Sequence, residues 1–354
     1  MRPPKSTLAK NMDREVWQTL LSLESRDLTK TRFRRIHSRD LSTRRAREIN
    51  AAAKQGREYF RNAGAADYSV RPLLTFYGVT SLSRALLLLL KPQGGEECLT
   101  AGHGLEALAW RDVMSGETAA GLRSLPDLRV RTCAGLFSDF AKHTDNRVAI
   151  HINSSGVDWR LNYDVPDVGL EVSVSDLFSR LPDLRQDYSD IANTLRYSHV
   201  SALTYTNDAG FSMTVLAETF SSFQSVYEAL GYNVRRKDKS LVVECSTETL
   251  DKGGPPLFVH GYLHKRFGAI PQLFVVEPFA ERTRYSQLCI TYVVSFLLGM
   301  LARYYPTHWI ALVQGHRGDR LWPTISQAQR VVEESFPELV AEMVKDATAT
   351  GHPL

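Results

Sequence analysis

The stretch Arg71–Leu90 reads RPLLTFYGVTSLSRALLLLL, and it decides the architecture of the chain. Proline suits the first turn of a helix, so the Arg-Pro pair marks a beginning and Leu73–Leu90 is predicted to be helical. Apolar residues surround nearly the whole circumference of this segment, which is typical of a helix buried on all sides. Pro92 and the Gly94-Gly95 pair end it. We therefore expect this helix at the centre of the core.

Long helices are also predicted on both sides of this segment. A polar residue between positions 40 and 43 can cap a helix over Arg44–Asn62. Toward the C-terminus, Arg282–Arg303 is heavily apolar and Ser326–Lys345 is amphipathic. The apolar runs Ala85–Leu90 and Leu288–Ala302 are both shorter than the ~20 residues that a membrane-spanning helix needs. Neither run is therefore predicted to cross a membrane.

The middle of the chain is predicted to be rich in strands. Residues 147–163 and 199–217 each hold two β-forming runs around turn residues, a pattern typical of β-hairpins. Before them, Leu105–Val113 is predicted to be a short helix. Helices, then strands, then helices indicate an α+β fold with a mainly helical core. We expect an N-terminal helical region 1–145, which includes a basic segment 26–48, a β-containing middle 146–280, and a C-terminal helical region 281–354 that packs on the N-terminal helices.

The bulk composition predicts a globular protein of the cell interior. Of the 354 residues, 43% are hydrophobic and 23% charged, which is typical of a folded globular protein and does not indicate a long disordered region. The N-terminus lacks the apolar stretch of a signal peptide. The four cysteines are far apart and show neither the spacing of a metal site nor that of a disulfide-rich secreted protein. A cytoplasmic location is therefore predicted.

Positive charge is concentrated in the basic segment 26–48. This segment carries nine basic and three acidic residues, whereas the whole chain has a net charge of only +4. Such a cluster can bind the phosphates of a nucleic acid, but it can equally form a solvated helix face. The candidate nucleic-acid-binding residues are Arg32, Arg34, Arg35, Arg44 and Arg45.

Three stretches together resemble a known family. They are AAKQGREYFRNAGAADYSVRPLLTFYGVTSLSRALLLLL (Ala52–Leu90), GHGLEAL (Gly102–Leu108) and YVVSFLLGMLARYYPTHW (Tyr292–Trp309). In this order and spacing they resemble the YaaC-like bacterial proteins. The resemblance implies a bacterial cytoplasmic protein with a helical core akin to HEPN domains. Many HEPN domains are metal-independent ribonucleases or their inactive, RNA-binding relatives.

The HEPN signature is an arginine followed after four to six residues by a histidine, and Arg303 and His308 fit it. In such a site His308 would move a proton at the 2′-hydroxyl of RNA, and Arg303 would stabilise charge on the phosphate. The alternative is structural: Arg303 caps the end of a helix while His308 packs beneath it. Both interpretations are open at this point.

Three other histidines are candidates for a ligand or metal site. His103 lies between Gly102 and Gly104, and glycines allow a ligand to approach the backbone closely, so His103 is a ligand candidate. A structural histidine in a turn is the alternative. His260 and His264 share one face of a predicted strand but have no third ligand nearby, so no metal or other cofactor is predicted.

Two functions follow from these patterns. The first is a non-catalytic interaction or assembly subunit, whose apolar helices associate with a second copy or with a partner protein, in a stress or phage-defence system. The second is a ribonuclease or RNA-binding effector that uses Arg303 and His308, with RNA as its partner. No motif for nucleotide hydrolysis, dinucleotide binding, serine hydrolysis or zinc proteolysis is present in the sequence. The first function is preferred because no sequence feature demands chemistry.

Overall fold

The computed structural model has an α+β fold, as predicted. It describes residues 15–152, 157–161, 164–184, 195–206, 210–216, 221–229, 231–245, 261–265 and 271–350. The α-helices are α1 (Arg26–His37), α2 (Thr43–Ala65), α3 (Arg71–Leu90), α4 (Trp110–Met114), α5 (Thr118–Arg123), α6 (Leu136–His143), α7 (Val174–Phe178), α8 (Phe223–Glu228), α9 (Gln287–Tyr304), α10 (Pro306–Val313) and α11 (Trp322–Thr350), and residues 15–21 are also helical. The strands are β1 (His103–Leu108), β2 (Arg129–Gly135), β3 (Val148–Ile152), β4 (Val157–Leu161), β5 (Glu171–Ser173), β6 (Tyr197–Thr206), β7 (Gly210–Leu216), β8 (Asn233–Lys237), β9 (Ser240–Cys245), β10 (Gly261–Lys265) and β11 (Pro271–Val276).

Helix α3 lies at the centre of the core, as its sequence predicts. It packs against α2 on one side and against α9 and α11 on others, and Leu86–Leu89 have no solvent-exposed surface. Helix α2 begins at an N-cap, where the Ser42 hydroxyl accepts a hydrogen bond from the backbone N–H of Arg45 at 3.3 Å. Ser286 caps α9 in the same way. The predicted long helices are thus confirmed.

Two helices, α3 and α9, are long and apolar enough by composition to cross a membrane. Of their apolar windows, 72% and 83% respectively are buried inside the protein. These helices already contact other helices of the same chain on most sides, as core helices do. The apolar surface of these two helices is therefore used mostly within the chain itself, whereas assembly with a second copy or a partner stays a prediction.

The strands form antiparallel sheets. The largest has the order β10-β11-β6-β7-β9-β8, a second has the order β1-β2-β5, and β3 pairs with β4. Strand pairing confirms both predicted hairpins, β3 with β4 and β6 with β7. The predicted helix Leu105–Val113 is wrong in its first half, because β1 pairs with β2 there and Glu106 contacts Arg131 across the ladder at 2.7 Å.

Two hydrophobic cores organise the described part of the chain. The main core unites the N-terminal helices with α9, α10 and α11, and it includes Val172–Leu184. A smaller core lies between α8 and the six-stranded sheet. Leu339 of α11 packs against both cores. The boundaries predicted at residues 145 and 280 stay a prediction, but the main core joins segments from all three predicted regions.

Candidate functional site

The two predicted catalytic residues lie in different environments. His308, in the first turn of α10, is 7% exposed and packs against Gly121 and the ring of Tyr305. Its Nε2 atom has no hydrogen-bond partner among the described residues. Burial lowers the pKa of His308, so its imidazole is neutral at pH 7. This histidine is therefore surrounded by packed side chains, as in the structural alternative.

Arg303 is exposed in the last turn of α9, and its side chain contacts Tyr77 and Tyr304. Its Nη1 donates a hydrogen bond to the hydroxyl of Tyr77 at 3.2 Å. The guanidinium carbon lies 5.0 Å from the ring centroid of Tyr304, within the range of a cation–π contact. Arg303 and His308 as a catalytic pair stay a prediction, but the structure gives Arg303 other neighbours.

These neighbours form what we call the Arg303 cluster: Tyr59, Tyr77, His103, Arg303 and Tyr304. The rings of Tyr59 and Tyr77 lie 5.5 Å apart, which joins α2 to α3. The positive charge of Arg303 acts on the His103 imidazole. Tyr304 is 55% exposed, the largest exposure among the described large hydrophobic side chains. The cluster therefore combines residues of three helices and one strand on an open surface.

A rigid support positions His103 in this cluster. Its ring contacts buried Phe76 edge-on at a centroid distance of 5.2 Å. Gly104, with φ +76°, follows His103, and a Cβ at Gly104 would lie 2.7 Å from the backbone nitrogen of Phe137. Only glycine fits this close contact between β1 and α6 in a left-handed conformation. The predicted ligand candidate is thus held by packing on one side and by a glycine contact on the other.

The electrostatics of the cluster depend mainly on the charge of Arg303. Among the described residues no carboxylate lies within ion-pair distance of its guanidinium. Burial of the ring, and secondarily the charge of Arg303, lowers the pKa of His103, so this imidazole is neutral at pH 7. The cluster therefore presents one fixed cation, one neutral imidazole and three phenol rings. Such a surface can bind an anion next to an apolar or flat group.

One arginine of the basic segment, Arg45, is used inside the protein. The guanidinium of Arg45 donates hydrogen bonds to the carbonyl oxygens of Leu88, Lys91 and Pro92 at 2.9, 2.8 and 3.1 Å. These are carbonyls at and just beyond the C-terminus of α3, which helical hydrogen bonds leave unsatisfied. Arg45 also stacks on Phe33 at 4.9 Å. The sequence proposed Arg45 for nucleic acid, but its contacts make it a cap for the central helix.

The other predicted nucleic-acid-binding arginines have mixed surroundings. Arg32 donates hydrogen bonds to the hydroxyls of Ser22 and Thr348. Arg34 pairs with Asp40, and Arg44 pairs with Glu48 and Glu97. Arg35 is exposed and has no carboxylate partner among the described residues. Nucleic-acid binding by this segment stays a prediction, for which the structure leaves Arg35 as the least engaged of the five.

No metal centre is found in the described ranges, where no group of three or more His, Cys, Asp or Glu side chains is placed to hold an ion. His260 lies outside these ranges. His264 belongs to β10, but its side chain is not among those described.

Sequence reasoning missed the three tyrosines of the cluster. Tyr59, Tyr77 and Tyr304 all lie in the stretches quoted for the family resemblance, and so do His103 and Arg303. One sequence signal could have indicated this surface: the run Arg-Tyr-Tyr stands at the end of a predicted apolar helix, where the helix leaves the core.

Comparison with known proteins gives one result. A family model described as YaaC-like Protein matches residues 21–344, which is nearly the whole chain and contains every residue of the Arg303 cluster. No curated protein and no solved structure matches.

Proposed function

We propose that this chain, which belongs to the YaaC-like protein family, is a non-catalytic interaction subunit of the bacterial cytoplasm that binds a partner protein through the Arg303 cluster. The observation that carries this proposal is an exposed arginine, held by two tyrosines, that has no counter-ion in the part of the chain that the structure describes. Arginine and tyrosine are enriched among the residues that dominate binding energy at protein interfaces. Their rigid support reduces the entropy that binding costs.

The burial of His308 argues for binding without catalysis. A general base must come within hydrogen-bond reach of the proton that it abstracts. His308 is 7% exposed and faces α5, whereas Arg303 faces solvent and α3. A ribonuclease would require His308 to leave its packed position before it could meet a phosphodiester beside Arg303. For this reason the metal-independent ribonuclease is the less favoured function.

Affinity capture of the full chain from bacterial cells, followed by quantitative mass spectrometry, tests the proposal. We expect a protein partner that is retained by wild type and lost from Arg303→Gln and from Tyr304→Ala. Arg236→Gln is the matched control, because Arg236 is also exposed and lies on β8, outside the cluster. Equal capture by all four proteins would refute the proposal.

Activity and assembly measurements complete this test. Light scattering separates self-association from binding of a different protein, since it gives the mass of the complex. RNA incubated with purified protein, under chelator and under magnesium, is expected to stay intact. Cleavage that is lost in both Arg303→Ala and His308→Ala would instead establish the ribonuclease.

A further inference from the structure

The Arg303 guanidinium combines two properties: it is hydrogen-bonded to a side chain of another helix, and it has no carboxylate partner among the described residues, as is also true of Arg35 and Arg236. Arg34, Arg44 and Arg131 are exposed too, but each has a carboxylate partner within the chain. Within the described ranges, the partners of Arg303 are uncharged: the Tyr77 hydroxyl and the Tyr304 ring. No described residue supplies its counter-ion, so a bound anion can form a favourable Coulomb interaction with this guanidinium.

The Tyr77 hydroxyl adds a second donor at the same place. Its oxygen accepts the hydrogen bond from Arg303 Nη1, and no acceptor for its own proton is found among the described residues. The proton can therefore be donated to an anion that also contacts the guanidinium. Two donors from α3 and α9 converge in this way, and the exposed ring of Tyr304 lies directly beside them.

We infer that the Arg303 cluster takes a carboxylate from an acidic segment of the partner protein, with an apolar or aromatic side chain beside that carboxylate packed on Tyr304. A guanidinium fork matches a carboxylate geometrically, and the phenol ring supplies apolar contact area. This inference rests on the proposed function and adds the chemistry of the partner.

A nucleic acid fits this surface less well than an acidic protein segment. Nucleic-acid sites neutralise several phosphates with several cations. The cluster offers one cation, because His103 is neutral at pH 7. Arg44 and Arg45, at the start of α2, are already used by Glu48 and by carbonyl groups at the end of α3. A single uncompensated cation flanked by tyrosines matches one carboxylate in a protein interface.

A histidine-labelled NMR titration of the full chain tests this inference, because the signals of His103 report on an anion bound next to it. A His103→Gln variant identifies these signals. The probes are acetyl-Tyr-Glu-amide, its neutral isostere acetyl-Tyr-Gln-amide, and uridine 5′-monophosphate as the nucleotide alternative. We expect saturable shifts of the His103 signals, with the Glu dipeptide bound about two- to fivefold more tightly than the Gln dipeptide, as for an exposed ion pair.

Variants connect this preference to the guanidinium. Arg303→Gln is expected to abolish the difference between the two dipeptides, Arg303→Lys to keep part of it, and Arg236→Gln to leave it unchanged. Equal binding of both dipeptides by wild type, no response to any probe, or a response to the nucleotide in place of the Glu dipeptide would overturn the inference. The titration can fail while affinity capture still finds a partner whose binding depends on Arg303. In that case the proposed function holds, and only the inference that the partner supplies a carboxylate is wrong.

Discussion

At the scale of single residues, Arg303 and His308 show how five positions of sequence can separate two environments. Helix α9 ends at Tyr304, and α10 begins at Pro306 in a new direction. Arg303 stays at the surface, whereas His308 turns toward α5. Its imidazole fits there because position 121 is a glycine, whose missing side chain leaves room for the ring. The local chain reversal therefore decides which of the two residues can meet a ligand.

Substitution of Gly121 tests this packing. In Gly121→Ala the new Cβ would lie 2.7 Å from His308 Nε2 and 3.0 Å from Met114 Sδ. We expect the free energy of unfolding to fall by about 1–3 kcal/mol, the usual cost of overpacking a core. In a His308→Ala background the same change should cost much less, since the clashing ring is absent. Urea unfolding of the four proteins measures the difference, and an equal cost in both backgrounds would contradict the packing.

The histidines also predict how stability depends on pH. Burial lowers the pKa of His37, His103, His143 and His308 below the ordinary value. In the unfolded chain these imidazoles titrate near pH 6.5, so below that pH the unfolded state binds more protons than the native state. The free energy of unfolding should therefore decrease as the pH falls from 7.5 to 5.5. Thermal unfolding of wild type and His308→Leu checks this, and the variant should show the smaller decrease.

At the scale of elements, α2 and α3 are joined by the side chain of Arg45, which the sequence indicated as a nucleic-acid-binding candidate. Arg45 stands at the start of α2, and its guanidinium bonds carbonyls at and beyond the end of α3. The sequence places a basic residue at this position but does not predict the direction of its side chain. That direction follows from the antiparallel packing of the two helices, which brings the end of one beside the start of the other.

Loss of this cap should destabilise the protein. We expect Arg45→Gln to lower the free energy of unfolding by about 1–3 kcal/mol, because several hydrogen bonds from a charged donor are removed and helix carbonyls are left unsatisfied. Arg47→Gln, at an exposed position of the same helix, should stay within about 0.5 kcal/mol of wild type. Urea unfolding compares the two. A stable Arg45→Gln variant with weakened RNA binding would support the nucleic-acid prediction instead.

Strand β1 marks where local sequence is a poor guide. Its residues Leu105, Glu106, Ala107 and Leu108 all favour a helix by intrinsic propensity. Pairing with β2 overrides that preference, since Leu105 is buried and Glu106 contacts Arg131. The long helices, by contrast, were predictable because their apolar pattern extends over several turns. Short elements take their conformation from partners that lie elsewhere in the chain.

At the scale of the whole molecule, the C-terminal helix α11 is attached to the N-terminal half by buried ion pairs. Arg71 of α3 forms a bidentate pair with Glu333, and Gln329 donates hydrogen bonds to Glu333 and to Thr75 at 3.0 and 2.7 Å. Arg147 pairs with Asp346 at 3.1 Å in a second buried contact. These contacts fix the position of α11 over α3, and the core is complete only when both halves of the chain are present.

The Arg71–Glu333 pair gives a prediction for the whole fold. Arg71→Met leaves the Glu333 carboxylate buried without its partner, so we expect a loss of about 3–5 kcal/mol in the free energy of unfolding. The double variant Arg71→Met, Glu333→Leu should recover much of this loss, since neither charge then remains. Urea unfolding of both variants measures the recovery. A double variant no more stable than Arg71→Met would show that the pair itself stabilises the fold.

The Arg303 cluster also depends on the whole fold, because its residues come from distant parts of the sequence. Sequence reasoning named His103 and Arg303 separately, but their meeting depends on the approach of β1 to α9 across about two hundred residues. The same holds for the tyrosines. Tyr77 contacts Arg303, and Tyr59 contacts Tyr77, only because α2, α3 and α9 pack together. Residue types could thus be predicted from the sequence, whereas their grouping could not.

Photo-crosslinking in cells shows directly whether a partner protein binds at the Arg303 cluster. Full-length protein with Tyr304→p-benzoylphenylalanine is irradiated in bacterial cells, with Val168→p-benzoylphenylalanine as the control, because Val168 is 54% exposed and lies outside the cluster. We expect a discrete covalent adduct to a protein from position 304, absent from position 168 and abolished by Arg303→Gln. An adduct to RNA from position 304, or none at all, would contradict it.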